Sequence, residues 1–209
     1  MISYKVFKRF FDFISAILLF ILISPLFFLL AVLVRINLGS PIFFKQARTG
    51  KGMKHFNLVK FRTMTDQRDA DGQLLSDKER QTKFGKFLRS SSLDELPELI
   101  HIIKGDMSVI GPRPLPIKYD SYYREDELRR FDVRGGLITP DSVEESPIIT
   151  WDKQLKYEAD YAQNLCFGLD LKIFLSVFRI LIKRPVSDYG SYIRGELNVE
   201  RSVENGNDR

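Results

Sequence analysis

The chain has 209 residues, 44% of them apolar and 28% charged, with a formal net charge of +5. That length builds one compact domain with a small appendage at most. The single Cys166 excludes an intramolecular disulfide and any CxxC-type zinc site, which fits a reducing compartment. The positive balance points to nucleic acid or an anionic membrane surface. A dense apolar block near the N-terminus and the lack of a base-reading motif argue against nucleic acid.

That block, Phe13 to Val34, carries no charge. As a straight helix it would measure roughly 33 Å, against a hydrocarbon core of about 30 Å. A cleaved signal peptide does not fit, because no small-x-small site follows before Arg35. A simple spanning helix and a re-entrant helix remain. Ser24-Pro25 sits in mid-run, where Pro removes a backbone donor, and the two halves of about 18 Å and about 15 Å are each too short to cross. Lys5, Lys8 and Arg9 precede the run and Arg35, Lys45 and Arg48 follow it, so both ends prefer the cytoplasmic side. Together these features favour a re-entrant hairpin. Asp12 at the boundary calls for a cationic partner, Lys8 or Arg9, unless it is a solvated interfacial charge.

Pro41 to Gln46 and His55 to Arg62 flank a Gly50/Gly52 turn and predict a β-hairpin. Asp66 to Asp77 is a polar surface loop. Lys78 to Leu88 is predicted helical, with Arg80, Lys83 and Lys86 along one side. Leu96 to Lys104 is a second helix ended by Gly105. Leu169 to Lys183 is strongly apolar with cationic punctuation, a core helix or one lying in the headgroup layer, and its charge bias favours the latter. From Pro185 onward the chain is polar and expected to be poorly ordered.

The chemistry concentrates between Arg89 and Pro114. Adjacent carboxylates Asp94 and Glu95 open a helix, and Ser92 with Glu95 has capping-box spacing. A cap at Ser92 puts Pro97 where its missing N–H is needed; a cap at Asp94 does not. Asp94 would then sit at the positive end of a helix, which favours an ionised carboxylate and attracts phosphate. Such a carboxylate beside a phosphoryl group suits nucleophilic catalysis. Neighbouring acids also suit Mg²⁺, which shares oxygen ligands with substrate phosphates. In Gly111-Pro-Arg-Pro114, two prolines flank Arg113 and pre-organise a guanidinium for phosphate.

Lys8-Arg9 with Phe11-Asp12, Lys60-Phe-Arg62-Thr-Met64, Ser92-Leu-Asp-Glu-Leu-Pro97, Lys104-Gly-Asp-Met-Ser108 and Gly111-Pro-Arg-Pro114 occur in this order. The set resembles the bacterial sugar transferase family, the small monotopic phosphoglycosyl transferases, over roughly residues 5 to 184. The resemblance implies an enzyme that moves a sugar 1-phosphate from a UDP-sugar to polyprenyl (undecaprenyl) phosphate, releasing UMP. It implies Asp94 as nucleophile and Mg²⁺ ligand, Glu95 as proton acceptor or metal helper, and Arg89 and Arg113 as phosphate-binding cations. Lys60 and Arg62, in the Lys-Phe-Arg motif, join them as substrate-binding residues, and Asp170 is a third acid near the site. The implied cofactor is Mg²⁺, and the implied partners are the UDP-sugar, the polyprenyl phosphate and membrane lipids. The site is expected on the cytoplasmic face of the inner membrane.

The expected fold is α+β and mostly helical. Residues 1–36 form a re-entrant membrane helix, 37–184 a small cytoplasmic catalytic domain with a short β-hairpin and interfacial amphipathic helices, and 185–209 a polar C-terminal tail. Oligomeric state is not legible. One stretch departs from the family pattern: Arg134-Gly-Gly-Leu-Ile-Thr-Pro-Asp-Ser-Val-Glu-Glu145 lacks the usual Trp, Asn and Arg and gains Asp141, Glu144 and Glu145. If it borders the sugar, those acids would favour a free amino group. His101 is expected to be a packing or surface residue and His55 to lack a ligand-like partner, while Trp151, Tyr157 and Tyr161 fit either a core or an interfacial belt. The competing reading is a non-catalytic protein holding anionic lipid on its basic stripe.

Overall fold

The computed structural model describes residues 4–144, 150–183 and 195–207, with side chains except those of 178–183 and 203–207. The N-terminal block forms one helix, α1 (Tyr4–Leu38), of 35 residues. It is long and apolar enough to cross a membrane. Helical structure continues through Ser24-Pro25, where the sequence predicted two separate halves, and the reason is local. Proline at position 25 leaves the Ile21 carbonyl without its backbone donor, and the Ser24 hydroxyl donates to that same oxygen at 2.8 Å.

One stripe of α1 lies along the rest of the molecule. Asp12, Ala16, Phe27, Leu30, Val34 and Leu38 are buried, while Phe7, Phe10, Leu18, Leu22, Phe28 and Val32 on the other side are exposed. Four of those buried side chains, Phe27, Leu30, Val34 and Leu38, pack with Phe61 and Leu88. At about 1.5–3 kcal/mol each, their burial contributes on the order of 6 kcal/mol or more to docking the helix. Ala16 packs farther back among Leu58, Leu99, Ile102 and Met107.

The predicted hairpin forms as β1 (Phe43–Thr49) and β2 (His55–Phe61), antiparallel from Phe43↔Phe61 to Thr49↔His55. The sheet gains an unforeseen third strand, as β4 (Leu115–Pro116) pairs with the other edge of β1. The predicted helix over 78–88 is two pieces, α2 (Asp77–Arg80) and α3 (Lys83–Ser90), because Thr82 starts a new helix by accepting from the Gly85 N–H at 3.0 Å. The stripe of Arg80, Lys83 and Lys86 is therefore divided between two helices, and Arg80 pairs with Asp77 at 2.6 Å. Gly85 lets α3 touch the Thr63 backbone, since a Cβ there would lie 1.8 Å from the Thr63 oxygen.

Next come α4 (Glu98–Lys104), closed by Gly105 at φ 96° as expected, and β3 (Met107–Ile110). β3 pairs in parallel with β5 (Gly135–Ile138), a contact across the intervening crossover that no local pattern announced. Then follow α5 (Trp151–Gln163) and α6 (Phe167–Lys183), the latter matching the predicted apolar helix and exposing Phe167, Leu171, Phe174 and Leu175. The expectation of a poorly ordered tail is corrected in part. α7 (Leu197–Asn207) docks through fully buried Leu197 among Leu115, Tyr119, Trp151 and Leu155. Arg201 pairs with Glu127 at 2.5 Å and Asp152 at 2.8 Å. Residues 184–194 lie outside the described chain. Trp151 and Tyr161 are core residues, which decides against an aromatic belt for them.

Candidate active site

α3 ends at Ser90 with Ser91 as its C-cap, and Ser92, at φ 57°, turns the chain into the left-handed region. Leu93–Glu95 follows as a single 3-10 turn, and α4 begins only at Glu98. Asp94 is thus not the cap of an α-helix, as the position of Pro97 had suggested. Pro97 itself precedes the first helical residue, where its missing donor costs nothing. Without a helix terminus to stabilise its charge, half-buried Asp94 has its pKa raised, above all by burial. The Lys60 ammonium pulls it down, Glu95 pushes it up, and Arg89 acts as a further lowering charge. Arg89 is oriented by its Nε, which donates to Thr63 Oγ1 at 2.9 Å.

Lys60 comes from β2. Its Nζ lies 2.6 Å from Glu95 Oε1 and 3.1 Å from Glu98 Oε1. Arg113 Nη2 approaches the same Glu95 oxygen at 3.8 Å, and its side chain is half exposed. These groups line one cavity together with Arg48, Pro114, Gly136 and Thr139. The Gly-Pro-Arg-Pro loop reaches it by crossing β5 at contact distance: a Cβ on Gly136 would lie 2.0 Å from the Gly111 nitrogen. Gly136 N–H donates to the Pro112 carbonyl at 2.9 Å, which locks the crossing.

Of the residues singled out from the sequence, Lys60, Glu95 and Arg113 line the cavity, and Asp94 lies in the field of Lys60, Glu95 and Arg89 without being one of the lining residues. Arg62 does not join them. Its Nη1 donates to the Ser40 carbonyl at 2.6 Å, its Nε to the Met64 carbonyl at 2.7 Å, and it pairs with Asp66 at 2.7 Å, so it clamps loops. Asp170 lies in a separate cluster below the start of α1. It accepts from Tyr4 and Tyr161 hydroxyls at 2.6 Å each and pairs with Lys8 at 2.9 Å. Burial beside Asp170 pushes the Tyr161 phenol far up. Lys8 also answers the question posed by Asp12, at 3.6 Å. Asp12 accepts from the Ser108 hydroxyl at 2.6 Å and the Val109 N–H at 3.2 Å, so it is a buried anchor instead of a solvated charge. Arg9 instead donates to the Ile102 and Ile103 carbonyls at the end of α4.

Sequence reasoning missed two residues of the cavity. Glu98, 4% exposed, is a third carboxylate whose pKa burial raises and Lys60 lowers. Its spacing one helical turn from Glu95 was the available signal. Arg48 donates to the Pro114 carbonyl at 3.2 Å and the Gln46 side chain at 2.6 Å. Burial and the neighbouring Arg113 lower its pKa, as expected for two guanidiniums sharing one site. Nothing in its local sequence set it apart. His101 is a packing residue as expected: Val59 N–H donates to its Nε2 at 3.2 Å, and its Nδ1 lies 3.0 Å from Asp106. His55, against expectation, has a partner in Asp120 at 2.8 Å.

The divergent stretch borders the cavity through Gly136, Leu137 and Thr139. Glu144 is committed elsewhere, to Lys153 at 2.6 Å and to the Tyr157 hydroxyl, so it is not free to meet an amino group. Glu145 lies outside the described residues.

The family model described as bacterial sugar transferase matches residues 3–184. The chain is 42% identical over 180 residues to the "Uncharacterized sugar transferase EpsL" of Bacillus subtilis, covering 86% of this chain and 89% of that protein. It is 36% identical over 190 residues to the UDP-glucose:undecaprenyl-phosphate glucose-1-phosphate transferase of Klebsiella pneumoniae, covering 86% of this chain and 41% of the relative. It is 34% identical over 187 residues to the UDP-N-acetylgalactosamine-undecaprenyl-phosphate N-acetylgalactosaminephosphotransferase of Aeromonas hydrophila, covering 86% of this chain and 44% of the relative. The chain thus spans less than half the length of these last two.

Proposed function

Since the chain belongs to the bacterial sugar transferase family, we propose that it transfers a sugar 1-phosphate from a UDP-sugar to undecaprenyl phosphate through a covalent Asp94 intermediate. The observation that carries this reading is half-buried Asp94 in the field of Lys60 and Arg89, next to Glu95, which with Lys60 and Arg113 lines the cavity. Phosphoryl transfer depends mainly on positioning and charge neutralisation, and these side chains supply both.

In the first half-reaction an Asp94 carboxylate oxygen attacks the sugar-linked phosphorus. The bond from that phosphorus to the bridging oxygen breaks, and UMP leaves with the electron pair. In the second, an oxygen of the lipid phosphate attacks the same phosphorus, the acyl phosphate bond breaks, and Asp94 is restored as a carboxylate. If the lipid phosphate arrives singly protonated, its proton passes to Glu95, which lies in the cavity; Asp170 is taken by two phenols and Lys8. Lys60 and Arg113 offset the phosphate charge.

Among the described residues no three His, Cys, Asp or Glu side chains converge to hold a metal alone. That suits Mg²⁺, which uses one or two carboxylates with substrate phosphates. Asp94 would hold it together with the donor diphosphate, and the ion would neutralise phosphate charge there. We place α1 as re-entrant, turning at Ser24-Pro25 by a prolyl bend that leaves the helix continuous, with the site on the cytoplasmic face of the inner membrane. This is supported by the cations flanking both ends and by the docking of α1 along one side of the domain from Asp12 to Leu38. A helix crossing the bilayer would leave the domain after one end. The transferase reading is favoured over the lipid-holding alternative by the family match and by relatives named as sugar-phosphate transferases.

The test is intact-mass analysis of enzyme mixed with UDP-sugars and Mg²⁺ but no lipid. One donor should add the mass of its phosphosugar and release UMP, and Asp94→Asn should do neither while still binding membranes. Turnover surviving in Asp94→Asn would remove the covalent mechanism.

A further inference from the structure

The prolines fix φ at residues 112 and 114 and push Arg113 out of the α region, but they bond neither the N–H nor the carbonyl of Arg113. Behind the cavity, Arg130 and Glu158 form an ion pair that is 1% and 0% exposed. Glu158 Oε2 accepts from Arg130 Nε at 2.8 Å and pairs with its Nη2 at 2.6 Å. Glu158 Oε1 accepts from the Arg113 backbone N–H at 2.9 Å and from Gln154 Nε2 at 2.9 Å. Arg130 Nη2 also donates to the Arg113 carbonyl at 2.5 Å. The two charges therefore grip both polar groups of one residue's backbone. That residue is the one whose guanidinium faces Glu95 in the cavity.

The pair is itself held in place. Arg130 lies over the rings of Tyr123 at 5.2 Å and Phe131 at 4.9 Å, and its Nη1 donates to the Tyr123 hydroxyl at 3.2 Å. A buried ion pair is a poor source of net stability, because desolvation offsets most of its attraction. A hydrophobic pair of the same volume would fill this space as well, but it could not bond to a backbone N–H and C=O at once. The geometry points to Arg130 and Glu158 as positioning residues for Arg113. They set where its guanidinium meets the substrate phosphates and touch no substrate themselves. This inference rests on the phosphoglycosyl transfer proposed above.

The rate of donor-only adduct formation, followed by intact mass over hours, tests it in a double-mutant cycle. Glu158→Gln keeps shape and an acceptor but loosens Arg130, and it should slow adduct formation about 10- to 100-fold, the scale expected for a reacting group displaced by about an ångström. Arg113→Lys keeps a charge on a flexible stem without the planar fork, so it gains little from an exact backbone position. In that background the Glu158→Gln penalty should shrink to within about twofold. A penalty that persists undiminished there means that Glu158 supports the fold or another residue, and the inference is overturned. If Glu158→Gln does not fold, Arg130→Lys takes its place in the same cycle with the same two outcomes. A wild-type chain that forms no adduct with any donor would instead remove the transfer reaction itself.

Discussion

Replacing Lys60 with Met probes the electrostatics of the cavity independently of any substrate. Glu98 is 4% exposed, and the Lys60 ammonium at 3.1 Å is its direct counter-charge. The other charges near it are Glu95, which raises its pKa, Arg113, which lowers it, and Arg48, whose own pKa Glu98 raises. Burial is the largest influence, and the net shift is upward. A carboxyl with a raised folded pKa holds its proton more tightly in the folded state than in the unfolded chain. Its contribution to stability is full below the ordinary carboxylate pKa and is lost as pH rises through the folded value. Lys60→Met removes the main lowering charge, so the penalty should be small near pH 5 and large at pH 8. Breaking a buried pair by removing one partner costs about 3–5 kcal/mol. Lys60 is one-fifth exposed, so the lower end applies. At about 2–4 °C per kcal/mol for a chain of this size, Tm should fall by about 6–12 °C at pH 8. Differential scanning fluorimetry in detergent at the two pH values measures this, and a Glu98→Gln second substitution should restore most of the loss. An equal fall at both pH values, or no rescue by Glu98→Gln, would refute the reasoning.

Asp12→Ala should destabilise the docking of α1 by about 3 kcal/mol, since it orphans the Ser108 hydroxyl and the Val109 N–H in a buried setting. Adding Ser108→Ala should recover part of that in thermal unfolding, and strict additivity would count against it. Arg201→Met leaves buried Glu127 without its bidentate partner at 2.5 and 2.7 Å. Limited proteolysis should then cut within α7 faster than in the parent, whereas unchanged cleavage would show that Leu197 alone holds the helix. Chelation with EDTA should abolish UMP release and Mg²⁺ should restore it; turnover in excess EDTA would exclude the metal.

Much of the candidate site was readable because the residues proposed for its chemistry lie in short, contiguous motifs. Asp94 and Glu95 are neighbours in sequence, Arg113 sits between prolines, and the long apolar run announces a helix long and apolar enough to cross a membrane. The α4 stop at Gly105 was legible for the same reason, since an αL cap is a local event. Arg62 and Asp170 were assigned by resemblance, yet their donors and acceptors are used up by the Ser40 and Met64 carbonyls and by Tyr4, Tyr161 and Lys8. No spacing in sequence distinguishes a charge that faces a cavity from one that faces carbonyls.

Local patterning therefore determined which side chains are proposed to carry the chemistry, that the N-terminal run is helical, and where the hairpin and its turn lie. Tertiary structure alone decided that Glu98 and Arg48 join the cavity, that β3 pairs with β5 across the crossover, and that α7 docks behind α5. The physical reason is range. Turn, cap and helix preferences act over a few residues, whereas burial, strand pairing and the influence of Lys60 on Asp94 and Glu98 arise from groups far apart in the chain that only folding brings together.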